Sequence, residues 1–328
     1  MITVFGAGAI GCYVGGMLAA AGSDITFVGR PALRQRLANG LSVTAQGCQP
    51  RVVPTEKVLV VTLLSDAPPR EAFLVCVNSG DTEDAARSIA EYAAASVPVI
   101  SLQNGVTNPQ VLASQLGADR VVPGMVGFNV VEAAPGDFQQ TTEGEVITGP
   151  KGAFFVEALR GTDIAAQVHQ NMDGIQWSKL LLNLNNSLNT LSGIGLKAQL
   201  EDRQWRRILA GCISEAIAVA RAEGVRLERI GKVHPTVSPY LLRLPNALFL
   251  RIAAAMVAID PSARSSMADD YARGRKSEIG VLNGYIVERA GAHGIAAPLN
   301  QRVTQHVEKA FSSTERNPLA VDPAEILQ

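Results

Sequence analysis

The chain is poor in cysteine, in aromatic residues and in net charge. Its 4 cysteines are Cys12, Cys48, Cys76 and Cys212. They lie far apart and form no Cys-x-x-Cys pair, so the sequence predicts neither a zinc cluster nor a redox dithiol, and we expect no metal site. Aromatic residues make up 5% of the chain and the formal net charge is -1, with no basic stripe between aromatic side chains. Nucleic acid is therefore not an expected partner.

Long hydrophobic runs are also missing. No uninterrupted apolar run reaches about 18 residues, the length that crosses a bilayer, so we expect no membrane partner. The N-terminus enters a predicted strand without a basic segment or a small-residue cleavage site, and we expect a cytoplasmic protein. With 328 residues, 47% of them hydrophobic, the chain can bury a large core and its length predicts about two domains.

The chain opens on a glycine-rich turn. Residues 2–11 read Ile-Thr-Val-Phe-Gly-Ala-Gly-Ala-Ile-Gly, a strand that breaks into a Gly-x-Gly-x-x-Gly turn before a predicted helix. Gly6 permits the tight bend, Gly8 lets a pyrophosphate approach the backbone, and Gly11 permits close packing of helix on strand. The amide groups at the start of the helix favour an anion. The sequence predicts a dinucleotide site here, and its other backbone contacts are Ala7, Ala9 and Ile10.

An arginine follows the second predicted strand, at the place where the adenosine ribose of a dinucleotide lies. An acidic residue in this region would bind a free 2′-hydroxyl. Arg30 stands there instead, and a guanidinium can hold a 2′-phosphate through charge-assisted contacts. The sequence therefore favours NADP over NAD. Arg30 as a solvated loop cation is the alternative, and Arg34 and Arg36 can share either role.

The two halves of the chain differ in pattern. Short β-rich runs alternate with helix-like stretches in the first half, which predicts an α/β fold with a doubly wound parallel sheet. A hairpin-like pattern over 121–149 is expected to extend that sheet. Long helical periodicities then dominate, near 175–192, 201–223, 245–258 and 278–292. We predict a Rossmann-type domain over 1–170 and a mostly α-helical substrate domain over 171–328, with substrate in the cleft between them.

Two asparagines follow predicted strands at the cofactor edge of the sheet. Asn78 ends the run Val-Cys-Val-Asn, and Asn104 lies in Ser-Leu-Gln-Asn-Gly. Both are candidates for cofactor contact, and Asn104 also for substrate. Asn-Gly is equally a common turn dipeptide, which is the structural alternative for Asn104.

A leucine-rich predicted helix in the second half carries a polar stripe. Lys179, Asn183 and Ser187 are spaced at i, i+4 and i+8, which places them along one face. Polar groups on so apolar a helix need partners, so a polar ligand is one interpretation and a solvated face with a snorkelling lysine is the other. A lysine suits keto reduction, because it can protonate the carbonyl oxygen as hydride reaches the carbon.

A second polar cluster occupies residues 265–284. One continuous helix would separate Ser266 from Glu278 by roughly 18 Å. We expect Gly274 to end one helix and Ser277 to cap the next, with Glu278 in its first turn. The structural alternatives are a plain helix-start Glu278 and an N-cap Ser266 in a Ser-x-x-Asp capping box.

Together these segments resemble the ketopantoate reductase family, the 2-dehydropantoate 2-reductases, over essentially the whole chain. The motifs that carry the resemblance are Gly-Ala-Gly-Ala-Ile-Gly at 6–11, Gln-Asn-Gly at 103–105, Trp-Ser-Lys-Leu-Leu-Leu-Asn at 177–183, Ser-Ser-Met at 265–267, Ser-Glu-Ile at 277–279 and Leu-Asn-Gly at 282–284. The resemblance implies NADPH-dependent reduction of ketopantoate to pantoate, a step of pantothenate and coenzyme A synthesis.

The same resemblance implies roles for individual residues. Lys179 is the general acid and Glu278 binds the reacting oxygen. Asn183 and Asn104 orient the substrate, and Ser266 binds its carboxylate. Arg30 matches the family's ligand for the 2′-phosphate.

Three positions depart from the family pattern. Asn78 stands where a lysine often follows the strand, Ser187 where a second helix asparagine is common, and Ala263 where another polar contact can occur. They leave open a related reductase that uses NADPH or NADH on another bulky 2-keto acid. A non-catalytic NADP-binding sensor is a further alternative. A homodimer also stays open, because the helical half has enough apolar surface for one and a buried core explains the same residues.

Overall fold

The computed structural model describes residues 1–231, 233–253, 260, 263–314 and 316–328. Its internal contacts divide the chain into two compact units, Met1–Met172 and Asp173–Gln328. No helix within the described part of the chain has the length and apolar character needed to span a membrane.

The first unit contains two β-sheets. Its strands are β1 (Ile2–Phe5), β2 (Ile25–Val28), β3 (Leu41–Thr44), β4 (Arg51–Val53), β5 (Leu59–Val61), β6 (Ala72–Val75), β7 (Val99–Ser101), β8 (Val121–Val126), β9 (Val130–Ala134), β10 (Asp137–Gln140), β11 (Val146–Thr148) and β12 (Ala166–Val168). Its helices are α1 (Ala9–Ala20), α2 (Pro31–Arg36), α3 (Thr82–Tyr92), α4 (Asn108–Leu116) and α5 (Ala153–Leu159).

The larger sheet has eight strands in the order β12-β11-β8-β7-β6-β1-β2-β5. The six strands from β5 to β8 are parallel to one another, and β11 joins antiparallel to β8. Read from β5, the order of these six is that of Rossmann folds, with the reversal between β1 and β6. The predicted doubly wound sheet is confirmed, and its strand ends at this reversal are where such folds bind dinucleotides.

The predicted extension of the sheet by the 121–149 hairpin is wrong in part. Only β8 and β11 belong to the large sheet, whereas β9 and β10 join β3 and β4 in a separate four-stranded sheet. This second sheet covers the outer side of α1, where a Cβ on Gly16 would lie 2.6 Å from a methyl carbon of Val43. On the other side, a Cβ on Gly15 would lie 2.6 Å from the ring of Phe27. Because α1 is buried from both sides, it is apolar all round rather than amphipathic.

The described part of the second unit is helical. Its helices are α6 (Met172–Ser192), α7 (Leu196–Glu201), α8 (Arg203–Ala222), α9 (Ser238–Leu242), α10 (Asn246–Ile252), α11 (Ser266–Ala272), α12 (Asn283–Ala292), α13 (Pro298–Ser312) and α14 (Pro323–Leu327). The predicted helix over 278–292 begins later, at Asn283, after a 3-10 turn at Ile279–Val281. Of the helix predicted over 245–258, α10 accounts for 246–252, and residues 254–258 lie outside the described residues.

Candidate functional site

The glycine turn after β1 has the geometry that the sequence predicts for each glycine. Gly6 has φ +97°, and a Cβ there would lie 2.5 Å from the backbone nitrogen of Val77. A Cβ on Gly11 would lie 2.3 Å from the carbonyl oxygen of Gly6, so only glycine lets α1 start this close to the strand. At Gly8 a Cβ would meet no atom within 4 Å, which leaves its backbone open to a ligand.

Helix α1 begins directly after this open glycine. Gly8 is its N-cap and has no side chain to bond the first amides, and Ala9 is the first helical residue. The first amide groups of a helix have no intrahelical acceptor and favour an anion. Ala7 and Ile10 flank the turn and are partly buried, so their backbone lies at the same edge.

The three arginines after β2 differ in what they already bind. Arg36 forms a bidentate ion pair with Glu132, with nitrogen–oxygen distances of 2.9 and 2.6 Å. Arg34 donates to the carbonyl oxygen of Val60 at 3.0 Å. Arg30 is exposed at the N-cap of α2, and within the described residues it forms no ion pair. Of the three, Arg30 is the guanidinium most available to a phosphate.

Asn78 and Asn104 lie at the carboxyl ends of neighbouring strands. Asn78 is exposed and precedes a 3-10 turn that leads into α3. Asn104 is half-buried and precedes Gly105, whose φ of +82° confirms that the Asn-Gly pair forms a turn. A turn here does not exclude a role in binding, because Asn104 is still partly accessible at the edge of the sheet where the glycine turn lies.

Lys179 lies on α6 and is partly buried. Burial lowers its pKa from 10.5 to about 8, and desolvation is the whole cause of this change. Among the described residues it forms no ion pair. An ammonium without a carboxylate partner and with a pKa near neutral pH is suited to giving up a proton.

Two further members of the predicted stripe are more deeply buried. Asn183 is 7% exposed, one helical turn from Lys179. Ser187 is 0% exposed, and its hydroxyl donates to Oδ1 of Asn283 on α12 at 2.6 Å. Its position does not favour direct contact with a substrate, because the stripe passes under α12 at this point.

The excess of asparagine on α6 has a structural explanation that the sequence did not reveal. Asn189 accepts from the backbone amide of Ser265 at 2.8 Å, and the backbone carbonyl of Asn186 accepts from the Ser265 hydroxyl at 3.0 Å. Asn185 accepts from Gln199 of α7 at 2.8 Å. These residues fasten the chain before α11 and the helix α7 to α6.

Ser265, rather than Ser266, is the N-cap of α11. Its hydroxyl accepts from the amide of Ala268 at 3.2 Å, which corrects the alternative capping role of Ser266. Ser266 is the first helical residue and is exposed, and its hydroxyl lies 3.5 Å from Nδ2 of Asn186. Its side chain is thus held beside α6 and remains accessible.

The predicted break between Ser266 and Glu278 is present. Gly274 has φ +66° just after the end of α11, and the hydroxyl of Ser277 accepts from the amide of Ile279 at 3.0 Å. Glu278 immediately precedes the 3-10 turn instead of lying inside a first α-helical turn, which corrects the sequence prediction.

Sequence reasoning missed a buried chain of hydrogen bonds in the second unit. Asn283 donates to Asn300 at 3.0 Å, and Asn300 donates to Glu215 at 2.7 Å. Glu215 also accepts from the backbone amides of Leu299 and Asn300, at 2.9 and 3.0 Å, and so caps α13. With the bond from Ser187 to Asn283, these hydrogen bonds join four helices, α6, α8, α12 and α13. Their only sequence signal was Leu-Asn-Gly at 282–284.

Comparison with known proteins bears on both units. The family model described as "Ketopantoate reductase PanE/ApbA" matches residues 2–152, and "Ketopantoate reductase PanE/ApbA C terminal" matches residues 171–310. A crystal structure of a PanE/ApbA family ketopantoate reductase from Ralstonia eutropha JMP134 has 32% sequence identity and a TM-score of 0.80, covering 95% of this chain and 98% of that one. The chain belongs to the ketopantoate reductase family.

Other relatives of this ketopantoate reductase family member cover it almost completely. The 2-dehydropantoate 2-reductase of Halobacterium salinarum is 28% identical over 319 residues, which is 94% of this chain and 98% of that protein. A ternary structure of D-mandelate dehydrogenase with NADH and anilino(oxo)acetate has a TM-score of 0.77 at 18% identity, covering 95% of this chain and 98% of that one. This last likeness is one of fold. The family assignment makes the chain an oxidoreductase of the Rossmann type.

Proposed function

We propose that this protein reduces 2-dehydropantoate (ketopantoate) to pantoate with NADPH, in pantothenate and coenzyme A biosynthesis. The observation that carries the proposal is Lys179, a desolvated lysine with a pKa of about 8 at the family's Trp-Ser-Lys motif. Family membership supplies the reaction class, and the lysine supplies the proton that the reaction needs.

In this proposal the first unit binds nicotinamide adenine dinucleotide phosphate. The open space in front of Gly8 suits a pyrophosphate, and the amides at the start of α1 favour its charge. Arg30 is exposed at the N-cap of α2, and its guanidinium can hold a 2′-phosphate by charge-assisted contacts. Asn78 and Asn104, at the ends of β6 and β7, contribute polar contacts. When bound, the cofactor supplies the hydride for the ketone carbon.

Lys179 holds the proton for the ketone oxygen. With a pKa of about 8 the ammonium form prevails at neutral pH, and its proton is given up more readily than that of an ordinary lysine. Its positive charge also stabilises the negative charge that develops on the oxygen during reduction. The burial that lowers the pKa of Lys179 also makes its ammonium a better proton donor.

The remaining polar residues orient the substrate in this proposal. Glu278 accepts a hydrogen bond from the reacting oxygen once it is a hydroxyl. Asn183 and Asn104 offer amide donors and acceptors, and the exposed hydroxyl of Ser266 binds the carboxylate. A homodimer stays a prediction.

A reductase of another bulky 2-keto acid is the second candidate. It is favoured by Ser187, whose hydroxyl is committed to Asn283, and by Ala263, which has no polar side chain. Both reduce the number of polar groups available to ketopantoate. This reading shares the reaction and the role of Lys179, so only the substrate distinguishes the two.

The test is the oxidation of NADPH, followed by absorbance, with ketopantoate and with a panel of branched and aromatic 2-keto acids. We expect the highest kcat/KM for ketopantoate, with NADH a poorer cofactor. Lys179→Ala should lower kcat by about a hundredfold or more, as loss of a general acid does. Lys309→Ala, an exposed lysine of the same unit, is the matched control and should retain full activity.

Three results would contradict parts of the proposal. A clear preference for another keto acid would favour the second candidate. Near-normal turnover by Lys179→Ala would remove the proton-donor role. Binding of NADPH without oxidation by any keto acid would favour a sensor.

A further inference from the structure

A buried network of polar side chains connects the loops that follow β6 and β7. Gln103 donates through Nε2 to the carbonyl oxygen of Val77 at 3.0 Å and to the hydroxyl of Thr82 at 2.7 Å. Thr82 in turn donates to Oδ1 of Asn108 at 2.9 Å. Oε1 of Gln103 accepts from Ser101 at 3.1 Å. Thr82 and Asn108 are 1% and 2% exposed, so these bonds form away from water.

The network ends on two residues next to the predicted cofactor contacts. Nδ2 of Asn108 donates to the hydroxyl of Ser79 at 3.0 Å and to the backbone carbonyl of Asn104 at 2.5 Å. Ser79 follows Asn78 directly in the chain. One amide group therefore ties the loop after β6, at Ser79 beside Asn78, to the loop after β7, at the backbone of Asn104.

The network also reaches the glycine turn through Val77. The carbonyl of Val77 is fixed by Gln103, and its backbone nitrogen is the atom that a Cβ on Gly6 would meet at 2.5 Å. The preceding amide, of Cys76, donates to the carbonyl of Phe5 at 2.8 Å. Displacement of Val77 would therefore disturb the turn at Gly6.

The network's polar side chains are fully used. Gln103 uses its oxygen once and its nitrogen twice, Thr82 donates and accepts once each, and Asn108 uses both atoms of its amide. A fully satisfied buried network selects one arrangement of the backbone it joins. Loops that are already ordered lose less entropy when a ligand binds.

We propose that the Gln103–Thr82–Asn108 network is a positioning element for cofactor binding. It fixes the backbone at 77–79 and at 104–105 relative to the glycine turn, so that the dinucleotide meets preformed loops. This inference rests on the proposed function for the identity of the cofactor. None of the three residues is assigned contact with cofactor or substrate, and they act through Val77 and Asn104.

The experiment compares two matched removals of a buried hydroxyl. Thr82→Val keeps the shape of the side chain and breaks two bonds of the network. Thr3→Val, in β1 of the same sheet, removes a hydroxyl that is also fully buried and has no hydrogen-bond partner among the described residues. Thr82→Ser keeps the hydroxyl. The dissociation constant for NADPH is measured by fluorescence titration, and circular dichroism and the Tm report folding.

We expect Thr82→Val to weaken NADPH binding by about tenfold, because the groups that the lost hydroxyl leaves unpaired let the loops relax and must be reordered on binding. Thr82→Ser and Thr3→Val should stay within about twofold of the wild type. Should Thr82→Val fail to fold, Ser79→Ala removes one acceptor at a partly exposed position and should still weaken binding by about threefold.

Equal dissociation constants for Thr82→Val and the wild type would overturn the inference, as would an equal loss in Thr3→Val. Failure of Ser79→Ala to weaken binding, where Thr82→Val cannot be tested, would overturn it as well. Failure of the proposed function looks different, because the wild-type protein itself would then bind no NADPH or reduce no keto acid.

Discussion

Replacement of Lys179 by methionine should make the protein more stable and almost inactive. Methionine has a similar length and no charge, so it removes the ammonium and keeps most of the packing. The native protein desolvates this ammonium, which lowers its pKa from 10.5 to about 8. In the unfolded chain the lysine is solvated and keeps its ordinary pKa.

The interval between these two pKa values sets the size of the effect. It corresponds to roughly 3 kcal/mol of lost stability when the lysine is charged in both states, which holds below about pH 8. Between about pH 8 and 10.5 the native protein releases the proton first, so its stability rises with pH, and above 10.5 the penalty is gone. Lys179→Met should therefore exceed the wild type by up to about 3 kcal/mol at neutral pH, and the difference should shrink in alkali.

Urea unfolding followed by circular dichroism, at neutral and at alkaline pH, measures this difference, and NADPH oxidation measures the activity. If Lys179 is the proton donor, as proposed, kcat/KM for the keto acid should fall as the pH rises through about 8, because the lysine then loses its proton. If Lys179→Met is no more stable than the wild type at neutral pH and its stability has the same dependence on pH, the inference that Lys179 is desolvated in the native protein is refuted. Lys309→Met, at an exposed site, is the control and should leave both stability and activity unchanged.

Two further substitutions test the remaining assignments. Arg30→Ala should raise the dissociation constant for NADPH by about tenfold and leave that for NADH nearly unchanged, since only NADPH has a 2′-phosphate. Arg160→Ala, at an exposed arginine of the same unit, is the control and should change neither constant, whereas equal losses for both cofactors in Arg30→Ala would contradict the assignment. Asn283→Leu should lower the free energy of unfolding by about 2–4 kcal/mol, because Ser187 and Asn300 both lose a buried partner. An unchanged midpoint of urea unfolding would show that these buried hydrogen bonds contribute nothing to stability.

The sequence predicted the large sheet because its signals are local. Each strand is a short apolar run, and the glycine turn ties β1 to α1 through spacing alone. The second sheet escaped prediction because its pairing is distant in the chain: β10 lies parallel to β3, with Phe138 opposite Val43. Neither short strand has a distinctive pattern, and the outer side of α1, which the second sheet covers, is their shared packing surface.

Helical periodicity predicted which residues of α6 share a face but not what covers that face. Lys179 and Ser187 lie on one stripe, yet only Ser187 is sealed beneath α12. The asparagines at 185, 186 and 189 stand out in the sequence as poor helix formers, but their partners on α7 and before α11 come from other parts of the chain. Composition thus marked the helix as unusual, and only the tertiary contacts show that Asn185, Asn186 and Asn189 anchor other segments to it.

The hydrogen bonds that attach the start of α11 to α6 affect how KM values of variants of this enzyme are to be interpreted. Asn189 and Asn186 of α6 both form hydrogen bonds with Ser265. Helix α6, which carries Lys179, therefore also fixes the position of the neighbouring Ser266. If Ser266 binds the substrate carboxylate, as proposed, a change at Asn189 is expected to raise the KM for the keto acid by displacing Ser266. A raised KM in an Asn189 variant would then reflect the position of Ser265 and Ser266 rather than a lost contact between Asn189 and the substrate.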